Sequence, residues 1–260
     1  MIREPLFGIF RTADAGATYS KRNKEYFKKL EFVINQHGIL AHDLSSNTGF
    51  MRRRNFPKTL ALYEIFKQTL DMPGSIAEFG VHKGDSFFTW IHLLETFCPG
   101  DRIKKVYGFD HFHGYTNLSK ADLESEQIIS MGEGNILNDG DGSLIRSLID
   151  LHDSDSFLPG VERAVLIDED ILSSAEWFAK ENQGVRFSII NVDVNLYEPI
   201  KAVLENFWNL LLPGGILMFS GFTGPPWEGE ARAIEEFFND KSVVFKKFPF
   251  SPYPRAYIVK

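Results

Sequence analysis

The stretch SIAEFGVHKGDSFFTWIHLLETF, residues 75–97, changes its hydrophobic period halfway along. Ser75 to Phe79 is a short apolar run behind Met72-Pro73-Gly74, a sequence that stops the preceding helix, in which Leu60, Tyr63, Ile65, Phe66 and Leu70 stand at helical spacing. Gly80-Val81-His82-Lys83-Gly84-Asp85-Ser86 follows as a turn. Phe87, Phe88, Trp90, Ile91, Leu94 and Phe97 then mark the apolar face of a helix closed by Pro99-Gly100. Strand, glycine turn and helix in that order open a nucleotide-type α/β sheet.

Downstream the alternation continues. A second strand, Lys105 to Phe109, ends in Asp110, and after a polar, loop-rich segment from His111 to Gly160 come strand Ala164–Ile167 and helix Ser174–Asn182. Strand Val185–Val192, helix Pro199–Leu212, turn Pro213-Gly214-Gly215, strand Ile216–Phe219 and helix Gly229–Asn239 complete the series. Val243–Phe248 and Arg255–Val259 are joined by a Pro-rich link too short for a crossover helix, so they are expected to pair antiparallel. The expectation is a doubly wound, Rossmann-like, seven-stranded, mostly parallel sheet with a C-terminal antiparallel hairpin. Residues 1–56, with an amphipathic helix from Lys21 to His37 ended by Gly38, read as an N-terminal helical cap or lid, and 57–260 as the main domain. The fifty residues 111–160, with Gly132-Glu133-Gly134 and Asp139-Gly140-Asp141-Gly142, exceed an ordinary connection and read as a substrate-loop insertion.

Composition narrows the function classes. Twenty-eight Lys and Arg against 35 Asp and Glu give a net charge of −7, which argues against a broad nucleic-acid face. One cysteine, Cys98, excludes a disulfide framework and any Cys-rich metal site. Met1 to Phe10 lacks an apolar run of signal-peptide length and no long apolar run occurs elsewhere, so the expectation is a cytoplasmic protein with no membrane partner. Twenty-four Phe point to an aromatic core.

In such a sheet the ligand lies beyond the carboxyl ends of the strands, which puts weight on Glu78, Asp110, Asp170, Asp193 and Ser220. Gly80 and Gly84 permit a tight turn and close approach of the backbone. A dinucleotide site wants G-x-G-x-x-G; here the middle glycine is missing, and Glu78 beside the loop repels phosphate. The same carboxylate suits a cationic ligand, and Asp110 can accept from ribose hydroxyls. S-adenosylmethionine is a nucleoside with a positive group and no phosphate, and Asp170 stands where an adenine amino group would be met.

With those residues in place, the chain resembles the class I S-adenosylmethionine-dependent methyltransferases, and among them the macrocin/mycinamicin (TylF-type) sugar O-methyltransferases. The resemblance runs from about Met51 to Phe238 without most of the insertion. It is carried by residues 74–86, by Val106-Tyr107-Gly108-Phe109-Asp110-His111-Phe112-His113-Gly114, by Val192-Asp193-Val194-Asn195-Leu196-Tyr197-Glu198-Pro199, by Leu212-Pro213-Gly214-Gly215-Ile216, and by Trp227-Glu228-Gly229-Glu230-Ala231-Arg232-Ala233. It implies that Glu78, Gly80 and Ser86 hold the methionine part, Asp110 the ribose, and Asp170 with Ile171 the adenine. It implies a small-molecule acceptor and a homo-oligomer. The family expects Asp-x-Asp-Leu-Tyr at the fourth strand and an Asp pair after the fifth, which hold a divalent cation and supply a base. The corresponding residues here are Asp193, Asn195, Ser220 and Gly221, and this loss of carboxylates argues against a dedicated metal site.

A replacement base is expected among the histidines: His113 first, then His111, both next to Asp110 and its cofactor-side contacts, with His82 last. Asp193 is the surviving carboxylate. On the acceptor side Arg53, in the run Arg52-Arg53-Arg54, suits an anionic group, and Trp227 with Phe222 suits an aromatic wall. The leading reading is therefore metal-independent O-methylation of a sugar or glycan-precursor hydroxyl. Its rivals are methylation of an amine, carboxylate or phosphoryl acceptor, and a silent methyltransferase-like binding or scaffold protein; a dehydrogenase is opposed by the missing glycine.

Overall fold

The computed structural model of this 260-residue chain describes residues 13–53, 55–116, 118–125, 128, 140–223 and 225–260. Met1–Phe10, Gly132-Glu133-Gly134 and Asp139, on which sequence expectations also fall, lie outside the described residues. The chain divides into two units, Met1–Lys58 and Thr59–Lys260. The first holds α1 (Ala13–His37), which ends at Gly38 with φ +58°, and α2 (Ala41–Ser46). Within it the Arg52 guanidinium lies 4.6 Å from the centre of the Tyr26 ring.

α3 (Asn55–Gln68) leads into β1 (Ser75–Phe79) and α4 (Asp85–Phe97). Next come β2 (Val106–Phe109), α5 (Gly142–Ser154), β3 (Ala164–Ile167) and α6 (Ile171–Glu181). β4 (Phe187–Val192), α7 (Tyr197–Phe207), β5 (Leu211–Phe219), α8 (Glu228–Phe238) and β6 (Ala256–Val259) complete the order. The sheet has six strands in the order β3-β2-β1-β4-β5-β6; all pairs are parallel except β5 with β6. The strand order therefore reverses between β1 and β4, which opens a crevice at their carboxyl ends.

Two expectations need correction. Seven strands become six, because Val243–Phe248 is reduced to a single antiparallel bridge between Lys246 and Tyr257 at the sheet margin. Among the described residues the margin has no further strand to pair with, and the Lys246-Lys247 pair with Pro249 beyond it is the chemistry that blunts an edge. The antiparallel C-terminal pairing itself is formed by β6 on β5. The segment 111–160 is also not all loop: its second half is α5, the crossover that parallel β2 and β3 require. Asp141 caps α5 by accepting from Ser143 N–H (2.8 Å) and Leu144 N–H (3.3 Å), and Ile145 is fully buried.

Alternation along the strands sends residues to opposite faces. Ala77 and Phe79 of β1 join one core, with Phe109, Phe178, Phe187 and Phe207 as an aromatic cluster; the Phe79 and Phe109 rings stack at 4.5 Å. Ile76 joins the other core, with Trp90, Leu94, Ile145, Ile189 and Met218. Glu78 points to that second face, beneath α4. Arg163, 1% exposed, bonds Glu95 at 2.5 Å and donates to the carbonyls of Cys98 (3.0 Å) and Pro99 (3.3 Å), which stops α4 and ties it to the entry of β3. Among the described residues no helix is long and apolar enough to cross a membrane.

Candidate active site

The crevice at the strand-order reversal is a cavity walled by Gly80, Asp110, Asp170, Ile171 and Asp193, all expected from the sequence, with His111 beside them. Gly80 has φ +90°, and a Cβ there would stand 2.3 Å from the Asp193 carbonyl oxygen, so only glycine lets the ends of β1 and β4 meet. Asp110 Oδ2 accepts from His82 N–H and Oδ1 from Phe112 N–H, each at 2.8 Å. Both donors sit in left-handed backbone, φ +51° and +58°, so one carboxylate holds two strained loop residues on the cavity wall. Asp170 caps α6 by accepting from Leu172 N–H at 2.7 Å. Among the described residues neither Lys nor Arg lines this cavity, whereas three aspartates do.

Other expected residues of the second unit do not line this cavity. Glu78 is fully buried, where Ser86 Oγ, Trp90 Nε1 (2.9 Å) and Asn191 Nδ2 (2.7 Å) donate to it. Strand alternation aims it under α4, and with Ser86 it forms a buried polar knot instead of a wall of the cavity. Gly84, φ +84°, begins α4, and a Cβ there would strike the Phe88 ring at 2.5 Å; its role is packing. Phe222 is a core residue, its ring 4.7 Å from Phe245. Trp227 meets the Tyr115 ring edge-on at 5.8 Å and so backs the cavity wall. Arg53 belongs to the N-terminal unit, Met1–Lys58.

The histidines are not placed as expected. His113 is exposed and lines an outer cleft with Asp168 and Glu169. His111 Nδ1 accepts from His113 N–H at 2.9 Å, which places its proton on Nε2, 3.3 Å from Thr116 Oγ1. In that tautomer neither nitrogen is ready to take a proton from a substrate in the inner cavity.

Tyr115, Asn195, Ser220 and Glu230 form a hub beside Asp193; of these the sequence singled out Ser220 as a strand end and Asn195 and Ser220 as lost cation positions, and it assigned no role to Tyr115 or Glu230. Tyr115 Oη donates to Asn195 Oδ1 (2.7 Å), and Asn195 Nδ2 donates to Ser220 Oγ (2.8 Å) and Glu230 Oε2 (2.9 Å). Glu230 is 0% exposed and its other oxygen accepts from Gly221 and Phe222 N–H, both at 2.9 Å. Burial above all, with the nearby charge of Asp193, pushes its carboxyl up to about 7 against the lowering effect of its hydrogen bonds. Burial, then Asp193, Glu230 and Asp110, pushes the Tyr115 phenol well above its ordinary value. Glu230 belongs to the motif Trp227–Ala233, but nothing in one sequence says that it meets Asn195.

Asp122, 3% exposed, fastens the segment after β2: it accepts from Ser119 Oγ (2.7 Å) and from Tyr197 N–H (3.0 Å), and so caps α7 from outside that helix. A Cβ at Gly229 would lie 1.9 Å from Asp122 Oδ1, so any larger residue there must displace that carboxylate.

At the expected cation positions this chain has Asp193, Asn195, Ser220 and Gly221, one carboxylate among four residues. Asn195 turns its amide nitrogen, a donor without a free lone pair, into the hub, and a Cβ on Gly221 would stand 2.4 Å from Glu230 Oε2. Among the described residues no group of three or more His, Cys, Asp or Glu is placed to hold a metal ion.

Comparison with known proteins agrees with this architecture. Residues 77–220 match the family described as methyltransferase domain. The crystal structure of CalS11, calicheamicin methyltransferase, superposes with a TM-score of 0.83 at 26% identity over 92% of each chain. The apo structure of CalS11, TDP-rhamnose 3'-O-methyltransferase, gives 0.76 at 25% identity over 96% of each chain. The O-methyltransferase NovP, at 14% identity over 78% of each chain and a TM-score of 0.58, shares the fold. No curated protein matches the sequence significantly.

Proposed function

We propose, from the premise that this chain belongs to the methyltransferase domain family, that it is an S-adenosylmethionine-dependent O-methyltransferase acting, without a metal ion, on a sugar hydroxyl of a small-molecule precursor. The observation that carries the cofactor is the acidic cavity at the strand-order reversal: Asp110, Asp170 and Asp193 converge with glycine-enabled close backbone approach and, among the described residues, no cation to receive a pyrophosphate. The sugar acceptor rests on the likeness, over nearly the whole chain, to CalS11, which methylates TDP-rhamnose.

Bound S-adenosylmethionine supplies an electrophilic methyl group; the chain supplies alignment and a proton acceptor. Each Asp110 oxygen accepts one backbone N–H and keeps a second lone pair for a ribose hydroxyl. Ile171, 8% exposed, offers an apolar face to adenine beside the Asp170 cap. Asp193 is the carboxylate of the inner cavity next to the hub, and takes the proton that the acceptor hydroxyl sheds as it gains the methyl. The assignment is supported over His113, which is exposed, and over His111, whose Nδ1 accepts from His113 N–H.

The test is calorimetric titration with S-adenosylhomocysteine, with EDTA and with Mg2+, followed by mass spectrometry of TDP-rhamnose incubated with S-adenosylmethionine. Micromolar binding indifferent to metal and a gain of one methyl group are expected. Absence of binding sinks the cofactor assignment; binding with turnover only when Mg2+ is present sinks metal independence.

A further inference from the structure

Where the family resemblance implies a cation, this chain has a hydrogen-bonded hub with one direction built into it. An ionised carboxylate only accepts. Glu230 therefore requires the Asn195 amide to present its nitrogen, as the 2.9 Å contact to Oε2 shows, while Ser220 Oγ takes the second amide hydrogen. The amide oxygen is then left facing Tyr115, whose hydroxyl must donate to it at 2.7 Å. With its hydrogen committed, the Tyr115 oxygen keeps only lone pairs for any other partner, and Tyr115 is one of the residues that line the cavity.

Reversal is equally well defined. A proton on Glu230 Oε2 turns that oxygen into a donor, the Asn195 amide rotates to place Oδ1 against it, and Nδ2 then donates to the Tyr115 oxygen. The tyrosine hydrogen is then free of the amide and available to a molecule in the cavity that Tyr115 lines. Only one proton has been added, on Glu230, and the Ser220 hydroxyl can donate or accept in either arrangement. Gly221 and Phe222 N–H stay bonded to Glu230 Oε1 in both.

We propose that Glu230 is a positioning residue which, through the Asn195 amide, sets whether Tyr115 presents a hydrogen-bond acceptor or a donor to the methyl acceptor, a task that replaces cation orientation of the substrate. The inference rests on the proposed function, in which the methyl acceptor meets the cofactor at the Asp193 end of the cavity. In the ionised form a hydroxyl-bearing ring finds an acceptor beside the reacting atom, and an amide or carbonyl oxygen at the same place does not. The charged and titratable groups that face Glu230 are Asp193 from the end of β4, Tyr115 from the segment after β2, and half-buried Arg255 ahead of β6. Burial places the Glu230 carboxyl at about 7, so both arrangements are reachable near neutral pH.

The experiment uses the full chain without ligand, labelled with 13Cζ-tyrosine and 15N-asparagine, so that it is independent of whether the cofactor assignment holds. Tyr115→Phe identifies the tyrosine resonance. In Glu230→Gln the glutamine oxygen keeps the two backbone N–H groups and its amide must donate, which imposes the reversed arrangement. The Tyr115 and Asn195 signals of Glu230→Gln are expected at the positions that the wild type reaches at low pH, and to stay there between about pH 5.5 and pH 8.5. In the wild type both signals move together over that range. Should the variant not fold, the wild-type titration decides alone. Signals in Glu230→Gln equal to those of the wild type at high pH, or wild-type signals that stay still or move separately, overturn the proposal. So does selective broadening of both signals by millimolar Mn2+, because it would put a cation where the hub stands.

Discussion

Replacing Asp110 with asparagine changes almost nothing in volume and removes one charged hydrogen-bond acceptor from the cavity wall. The carboxylate accepts from His82 and Phe112 N–H at 2.8 Å each, one per oxygen. An asparagine can satisfy one of them; its amide nitrogen faces the other donor. A hydrogen bond to a charged group contributes about 1.5–3 kcal/mol, and that range is the upper bound here because Asp110 is half-buried. His82 and Phe112 hold φ of +51° and +58°, a conformation disfavoured by roughly 1–2 kcal/mol per residue, so the released residue relaxes and recovers part of the loss. The expected net destabilisation is about 1–2 kcal/mol, or roughly 2–8 °C in Tm for a chain of this size. Binding must then rebuild the wall, so S-adenosylhomocysteine affinity falls about 5- to 30-fold through preorganisation alone, with any weakening of the ribose hydrogen bonds adding to that. Urea melts give the stability, calorimetry the affinity, and hydrogen exchange of the His82 and Phe112 amides in the free protein separates the two effects. Unchanged stability with unchanged exchange at both amides would refute preorganisation, whatever happened to the affinity.

Two further outcomes follow from buried carboxylates. Glu230 has its folded value raised to about 7 from an ordinary 4.5, so the folded state holds the proton more tightly. Its contribution is fully present below about pH 4.5 and declines as pH rises to about 7, by roughly 3 kcal/mol in all; the stability difference between wild type and Glu230→Gln should fall over that window and level off above it, and a rise would contradict the burial argument. Asp122→Ala removes the outside cap of α7 at Tyr197 and the tie to Ser119, and should destabilise by about 1–2 kcal/mol. Gly229→Ala, which pushes the same carboxylate aside, should speed hydrogen exchange at Tyr197 as Asp122→Ala does, and a normal rate there would show that the cap is dispensable.

The sequence by itself determined the sheet and one wall of the site. Hydrophobic period and glycine punctuation are local properties, so β1 to β5 and most helices could be read directly; so could Gly80, Asp110, Asp170 and Asp193, because strand ends in a doubly wound sheet converge by topology alone, whereas Ile171 came only from the family resemblance. Helix α5 was legible in its Leu144, Ile145, Leu148 and Ile149 spacing and was obscured by the polar, glycine-rich sequence before it. Tertiary structure alone decided which carboxylates face the cavity and which are enclosed. Glu78 stands one residue before the end of β1 and Asp110 one after the end of β2, and alternation turns Glu78 under α4 to Trp90 and Asn191. Asn195 and Glu230 are 35 residues apart, and Tyr115 and Asn195 80 apart, so their meeting depends on how α8 and the segment after β2 pack over β4. A residue type states what a side chain can donate or accept; which partner it meets, and whether water is there to compete, is fixed only when distant segments close around it.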